Sequence, residues 1–265
     1  MGHELRLVVT AVQFLTRLPL PPQTRFESPW LREALRYFPA VGALIGLFLA
    51  AIYTFARLVL PVSVAVGLAL AATLLLTGAL HEDGLADALD GFGGGRDSES
   101  VLHIMRDSRI GAFGALGLAI TTGLKWTSLS LLPAGVFIDL VVAAHLWSRF
   151  CAIGLIWALP YARSEPSKSS PFAGGWSGWQ WLLSGLLGIG AFVLIEYLGS
   201  RPLPAMGLLA IPALIALSFS LLAALYCRRR IAGFTGDCVG AVQQIAELSF
   251  LIGGLALATR AEAAR

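Results

Sequence analysis

The sequence predicts an all-α polytopic integral membrane protein, with about seven transmembrane helices, an N-terminal amphipathic helix and a cytoplasmic acidic helical loop. Three observations predict it. Hydrophobic residues make up 57% of the 265 and charged ones only 13%, where soluble domains carry roughly a quarter. The apolar residues gather in stretches near the ~20 needed to cross a bilayer. The connections between them are short, so residues 1–265 read as one membrane-embedded domain with no separate soluble part.

The elements follow in order. The opening "MGHELRLVVTAVQFLTRLPLPPQTRF" is interrupted by Arg6 and Arg17 and offers no small-residue cleavage site, so it does not read as a removable signal. Leu5, Val8, Val9, Val12 and Leu15 give it one apolar face, as of an amphipathic helix on the membrane surface, stopped by Pro19, Pro21 and Pro22. Spans are expected at roughly 38–58, 62–80, 111–131, 135–158, 179–198, 204–226 and 239–258. Three longer connections, 81–110, 159–178 and 227–238, alternate with tight turns.

Basic residues assign the sides. Of 19 Lys and Arg, 13 fall on one face: Arg6, Arg17, Arg25, Arg32, Arg36, Arg96, Arg106, Arg109, Arg163, Lys168, Arg228, Arg229 and Arg230. Arg57, Arg201, Arg260 and Arg265 fall on the other, and Lys125 and Arg149 lie within spans. This bias puts the N-terminus and the longer connections in the cytoplasm. The net charge of +3 serves topology and points to no nucleic-acid partner. Cys151, Cys227 and Cys238 have no ligand or disulfide spacing and read as packing residues.

The stretch "HEDGLADALDGFGGGRDSE" sets five carboxylates, Glu82, Asp83, Asp87, Asp90 and Asp97, at the mouth of the second span. Asp83, Asp87 and Asp90 are spaced i, i+4, i+7 and share an arc of about 60° on a helix. Like charges so placed repel unless a cation neutralises them. Hard oxygen ligands without His or Cys favour Mg²⁺, with substrate phosphate completing its shell. Gly91, Gly93, Gly94 and Gly95 then break the helix and leave backbone N–H groups, at Gly94 and Gly95 among others, free for an anion. The plainer alternative is a solvated loop whose acids pair with Arg106 and Arg109.

In "MRDSRIGAFGALG", Arg106, Asp107, Ser108 and Arg109 precede glycines 111, 114 and 117. Two guanidinium forks beside a metal suit a diphosphate, or else anchor the loop on the cytoplasmic side. The glycine spacing suggests close helix packing. In "RRRIAGFTGDCVGAVQQIAE", Asp237 stands at a helix start as either cap or ligand. Glu247 lies inside span 7, where an acid is functional or paired. Lys125 is free to meet either Asp139 or Glu247, Arg149 to approach phosphates, and His145 to pack. Glu196 is expected to reach outward near the far face. Trp176, Trp179 and Trp181 suggest an interfacial belt. The polar stretch "PYARSEPSKSSPFAGGWSGW" reads as either a lid or a linker.

Taken together, "FLTRLPLP", "YFPAVGALIG", "LTGALHEDGLADALDG", "IMRDSRIGAFGALGL", "RYFP…YAR" and "GFTGDCVGA" resemble the cobalamin synthase family, the adenosylcobinamide-GDP ribazoletransferases, along nearly the whole chain. The resemblance implies a multi-pass enzyme of the bacterial inner membrane, its site facing the cytoplasm. It would join α-ribazole, or its 5′-phosphate, to adenosylcobinamide-GDP with release of GMP, using Mg²⁺. Carried over, the acidic motif falls on Asp83, Gly84, Asp87, Asp90 and Gly91, the second on Arg106, Asp107, Ser108, Arg109 and Gly111, and the third on Thr235, Gly236, Asp237, Gly240 and Ala241. In this reading Asp83, Asp87 and Asp90 hold the metal, and one Asp or His81 takes the hydroxyl proton. Arg106, Arg109, Arg149, Ser108, Asp107, Gly94, Gly95 and Asp237 bind substrate. Two positions depart from the family pattern: Glu82, usually apolar, and Gln244, where an acid is common. The bilayer is the obligatory partner; a homo-oligomer, or association with other cobalamin-assembly enzymes, is compatible with this picture.

Two rivals stand beside it. CDP-alcohol phosphotransferases share Asp87, Asp90 and Gly91, but Gly94 and Gly95 replace their Ala and Arg. A cation-coupled transporter would place its acids at mid-membrane within an inverted repeat; here they cluster in one loop.

Overall fold

A computed structural model describes residues 2–20, 28–163, 172, 176–200, 204 and 206–263. Eleven α-helices are described: α1 (His3–Leu15), α2 (Ser28–Ala34), α3 (Phe38–Ala56), α4 (Val62–Thr77), α5 (Leu80–Gly94), α6 (Ser98–Ile104), α7 (Ala112–Leu131), α8 (Phe137–Ala158), α9 (Gly178–Leu198), α10 (Met206–Ile231) and α11 (Gly236–Ala263). No strand occurs among the described residues; one isolated parallel bridge joins Tyr161 to Phe234. The all-α expectation holds.

Among the described residues, fewer than seven helices are long and apolar enough to cross a bilayer. Five stretches are long and apolar enough to cross a bilayer, those carrying α3, α8, α9, α10 and α11, and six if α4 and α5 together form one broken span. Two expected spans fall short for different reasons. Helix α4 has only 16 residues. Helix α7 has 20, but Lys125 and five hydroxyl side chains (Thr121, Thr122, Thr127, Ser128 and Ser130) dilute its apolar character. Outward-facing leucines and aromatics on α9 and α10, such as Leu186, Leu214 and Phe219, are exposed, which suits lipid rather than water.

Helix α8 forms the centre, packed by α3, α9, α10 and α11. Its contact with α3 depends on "GALIG". A Cβ at Gly42 would lie 2.5 Å from the His145 carbonyl oxygen, and one at Gly46 would lie 2.8 Å from Val142 Cα, so only small residues let the backbones meet. Gly78, at φ 65°, caps α4, and α5 departs at 87° to it. With 15 residues (~22 Å) and four acids, α5 is too short and too charged to cross a bilayer alone; it packs against α11 and α7.

Several expectations change. Helix α1 buries a different face from the expected stripe: Leu7, Thr10, Ala11 and Leu15 are buried against α2 and α3, whereas Leu5 is exposed and Val8, Val9 and Val12 are half-buried. Helix α5 runs through Gly91 and Gly93 to Gly94 instead of breaking. Arg230 caps its end, donating to the carbonyls of Phe92 (3.2 Å) and Gly95 (2.7 Å). Glu196 is buried rather than reaching outward. Of the three tryptophans, only Trp179 is exposed; Trp181 stacks on Phe150 and Trp157. The three cysteines are buried and free, as expected of packing residues. Most of the lid-or-linker stretch, with Lys168, lies outside the described residues, as do Arg25, Arg201 and Arg265.

Candidate active site

The starts of α5 and α11 cross where both sequences offer glycine. A Cβ at Gly84 would lie 3.2 Å from Asp237 Cα, and one at Gly240 would lie 3.0 Å from the His81 carbonyl oxygen. This approach sets the acids of two distant motifs side by side. Beneath the crossing opens a cavity of ≈ 460 Å³, into which Asp83, His81, Arg106, Arg149, Arg163 and Asp237 all project. The three longer connections of the sequence thus contribute to one end of the molecule.

The acids there are not equivalent. Asp90 has both oxygens engaged: Oδ2 accepts from Gly111 N–H (2.7 Å) and Oδ1 from Gly114 N–H (2.8 Å). It holds the first turn of α7, whose amides have no intrahelical partners. A Cβ at Gly111 would lie 2.5 Å from Asp90 Oδ1, so the glycine spacing does serve close packing, onto α5. The expected three-carboxylate stripe is thereby reduced to Asp83 and Asp87, with Asp90 as anchor. Asp87 is pushed up to about 7 by burial and by the charges of Asp237, Asp83 and Asp90, with Arg163 opposing. Burial is the largest cause, and the neighbouring carboxylates add to it. Asp237 makes an ion pair with Arg163 (2.7 Å). The α11 cap is instead Thr235, whose Oγ1 accepts from Cys238 N–H at 3.3 Å, so the cap role open to Asp237 is filled by its neighbour.

Among the described residues, no three His, Cys, Asp or Glu side chains converge into a ready-made metal site. The donor set still fits Mg²⁺, which commonly takes one or two carboxylates and completes its shell with water and substrate phosphate. The placement of the donors supports this fit: Asp83 lines the cavity, and Asp87, one helical turn further on, lies near enough to Asp83 and Asp237 to feel their charges.

Residues 106–109 divide. Arg106 lines the cavity. Arg109 turns to solvent and pairs with Asp107 (2.6 Å), whose carboxyl it lowers to about 2. Ser108 is exposed beside them. Gly94 and Gly95 do not line the cavity; Gly95 N–H bonds to the Gly91 carbonyl.

Below the cavity floor lies a buried ion network. Glu247 accepts from Lys125 Nζ (2.6 Å), Arg149 Nη1 (2.9 Å) and Gln243 Nε2 (2.6 Å). All four residues are at most 5% exposed, so these charges survive only as a set. Lys125 thus chooses Glu247 over Asp139. His145 Nδ1 lies 2.9 Å from Arg149 Nη1 and helps fix it. Gln244 accepts from Lys125 (2.7 Å) and donates to Glu82 (2.9 Å). The two positions departing from the family pattern therefore touch each other.

Residue-by-residue reading of the sequence missed Arg163 and the aromatic side of the cavity, formed by Phe14, Phe38 and Phe172. Arg163 lay in the quoted "YAR", and Phe14, Phe38 and Phe172 in "FLTRLPLP", "YFPAVGALIG" and "PYARSEPSKSSPFAGGWSGW", but nothing in these three distant segments shows that they meet.

Residues 7–256 match the family model described as cobalamin-5-phosphate synthase. The chain is 43% identical to the adenosylcobinamide-GDP ribazoletransferase of Ralstonia pickettii (strain 12J), over 93% of this chain and 94% of that one. It is 38% identical to the enzyme of that name from Leptothrix cholodnii, over 96% of each chain. It is 41% identical to that of Shewanella frigidimarina, over 93% and 92%. No solved structure matches. With a family model covering nearly the whole chain and relatives similar end to end, the protein belongs to the cobalamin-5-phosphate synthase family.

Proposed function

We propose that this protein performs the nucleotide-loop assembly step of cobalamin biosynthesis. It joins α-ribazole, or its 5′-phosphate, to adenosylcobinamide-GDP and releases GMP. One observation carries this reading: three arginines and the acids of two separate motifs face one ≈ 460 Å³ cavity, a charge pattern suited to a diphosphate and a divalent ion.

In the reaction, a ribose hydroxyl oxygen bonds to the phosphorus next to the corrinoid's aminopropanol arm. The bond from that phosphorus to the bridging oxygen breaks, and GMP departs with the oxygen. Arg106 and Arg149 bind phosphate oxygens and favour the charge that develops on the leaving group. Glu247 and His145 hold Arg149 in place. The ion pair with Arg163 fixes the Asp237 carboxylate at the start of α11. Asp83 or His81, both on the cavity wall, takes the hydroxyl proton. Asp83 and Asp87 would hold Mg²⁺, which supplies Lewis-acid stabilisation to phosphoryl transfer. The cavity mouth faces the cytoplasm of a bacterial inner membrane, a reading supported by the positive residues on that side.

The decisive experiment uses purified protein with adenosylcobinamide-GDP and α-ribazole, with and without Mg²⁺, following GMP. Metal-dependent GMP release with formation of the joined corrinoid is expected. Flux into sealed vesicles with no GMP would identify a transporter instead.

A further inference from the structure

The phosphoryl-transfer reading leaves the aromatic lining of the cavity unused. Apart from the charged groups, its wall is formed by Phe14 of α1, Phe38 at the start of α3 and Phe172, backed by Leu15, Ile153 and Ile156. The Phe14 ring stacks on Phe38 (centroids 5.5 Å apart, 24° between planes) and meets Phe172 edge-on (5.6 Å, 79°). The cavity lining is therefore of two kinds, guanidinium and carboxylate groups on one hand and a cluster of three mutually packed aromatic rings on the other.

We propose that the aromatic cluster seats the benzimidazole base of the acceptor nucleoside, so that the N-terminal helix forms part of the acceptor site. This rests on the function proposed above. α-Ribazole has the matching polarity: a flat apolar bicycle at one end and a ribose carrying the reacting hydroxyl at the other. Stacked and edge-on rings both favour such a bicycle. The alternative base, the guanine of the activated substrate, is rimmed with donors and acceptors. A phenylalanine wall would leave these without partners, a costly arrangement once water is excluded. The corrin ring with its amides is far too large for ≈ 460 Å³, so only its phosphorylated arm enters. The geometry thus sorts the two substrates: base to Phe14, diphosphate to Arg106 and Arg149.

The test compares wild type with Phe14→Leu and Phe172→Leu, which keep apolar bulk and remove one ring. Michaelis constants are measured from GMP release for each substrate, and α-ribazole binding by equilibrium dialysis without a second substrate. Loss of one base-stacking ring should raise the KM and Kd for α-ribazole ~5- to 150-fold, with the KM for adenosylcobinamide-GDP unchanged. Wild type alone gives an independent arm, in which adenosine, with its polar base edge, should be a much poorer acceptor than α-ribazole. Variants that instead raise only the KM for the corrinoid substrate, or a wild type that uses adenosine equally well, would overturn the assignment. Phe14-dependent α-ribazole binding without GMP release would uphold the aromatic seat and sink the reaction; GMP release with Phe14-independent binding would do the reverse.

Discussion

Two acidic regions lie within a few turns of each other and treat charge in opposite ways. In the interior, Glu247 is fully occupied by Lys125, Arg149 and Gln243. At the α5–α11 crossing, half-buried Asp87 sits among Asp83, Asp90 and Asp237 with Arg163 opposing, and burial first and those carboxylates second push it up to about 7. The first region is complete without a ligand; the second is not. Burial explains the contrast. A charge removed from water must carry its partner with it, whereas half-solvated carboxylates tolerate an excess that a bound cation can later relieve. Burial thus divides residues that build the molecule from those left available to act, and Arg149, which lines the cavity while paired with Glu247, belongs to both groups.

The sharpest way to break this comparison is at Glu247. Glu247→Leu leaves Lys125 and Arg149 buried without their acid and should cost ~3–5 kcal/mol, read as loss of the folded fraction in detergent. A protein of undiminished stability would show that the interior is not self-compensated. At the crossing the expectation inverts. Asp83→Asn and Asp87→Asn should each lower GMP formation by about 100-fold or more, equivalent to ~2.7 kcal/mol of barrier, while the thermal midpoint stays level or rises as repulsion falls. If both variants turn over at the wild-type rate, the crossing is not the site.

Asp90 divides the two behaviours. Asp90→Ala strands the Gly111 and Gly114 amides and should destabilise by ~1–3 kcal/mol; Asp90→Asn, which keeps one acceptor oxygen, should cost less. Equal stability of wild type and the alanine variant, by denaturant titration in micelles, would remove the anchoring role.

The pH dependence sharpens the comparison further. A raised carboxyl pKa means that the proton is held more tightly, and a cation must displace it. Apparent Mg²⁺ affinity should therefore rise with pH, up to about tenfold per unit below about 7, and level off above. In Asp87→Asn this slope should vanish, whereas an unchanged slope would place the titrating group elsewhere. The smallest effect is expected at Arg109, which faces solvent on Asp107. Arg109→Lys should change turnover by less than about threefold, since exposed pairs contribute little. A large loss would mean that Arg109 swings into the cavity when substrate binds.

Much of the site was legible in the chain because its chemistry is local. Asp83 and Asp87 announce themselves by helical spacing, Arg106 by its place before α7, and Asp237 by the glycines around it. The bilayer was legible from hydropathy, although Lys125 and the hydroxyls of α7 blurred the span count. The fate of Asp90 was hidden, because its partners are amides 21 and 24 residues away. The length of α5 was hidden for a similar reason: the arginine that caps it lies 135 residues beyond Gly95.

By itself, then, the sequence determined the helical class, the membrane setting, the family and the acidic and basic residue types at the site. These follow from composition and from periodicities that a helix imposes on near neighbours. Only the tertiary structure decided which acids stay free, which cation Glu247 meets, and that Phe14, Phe38 and Phe172 share one wall. Those outcomes depend on how closely helices approach at Gly42, Gly84 and Gly240, where a single extra methyl group would forbid the contact.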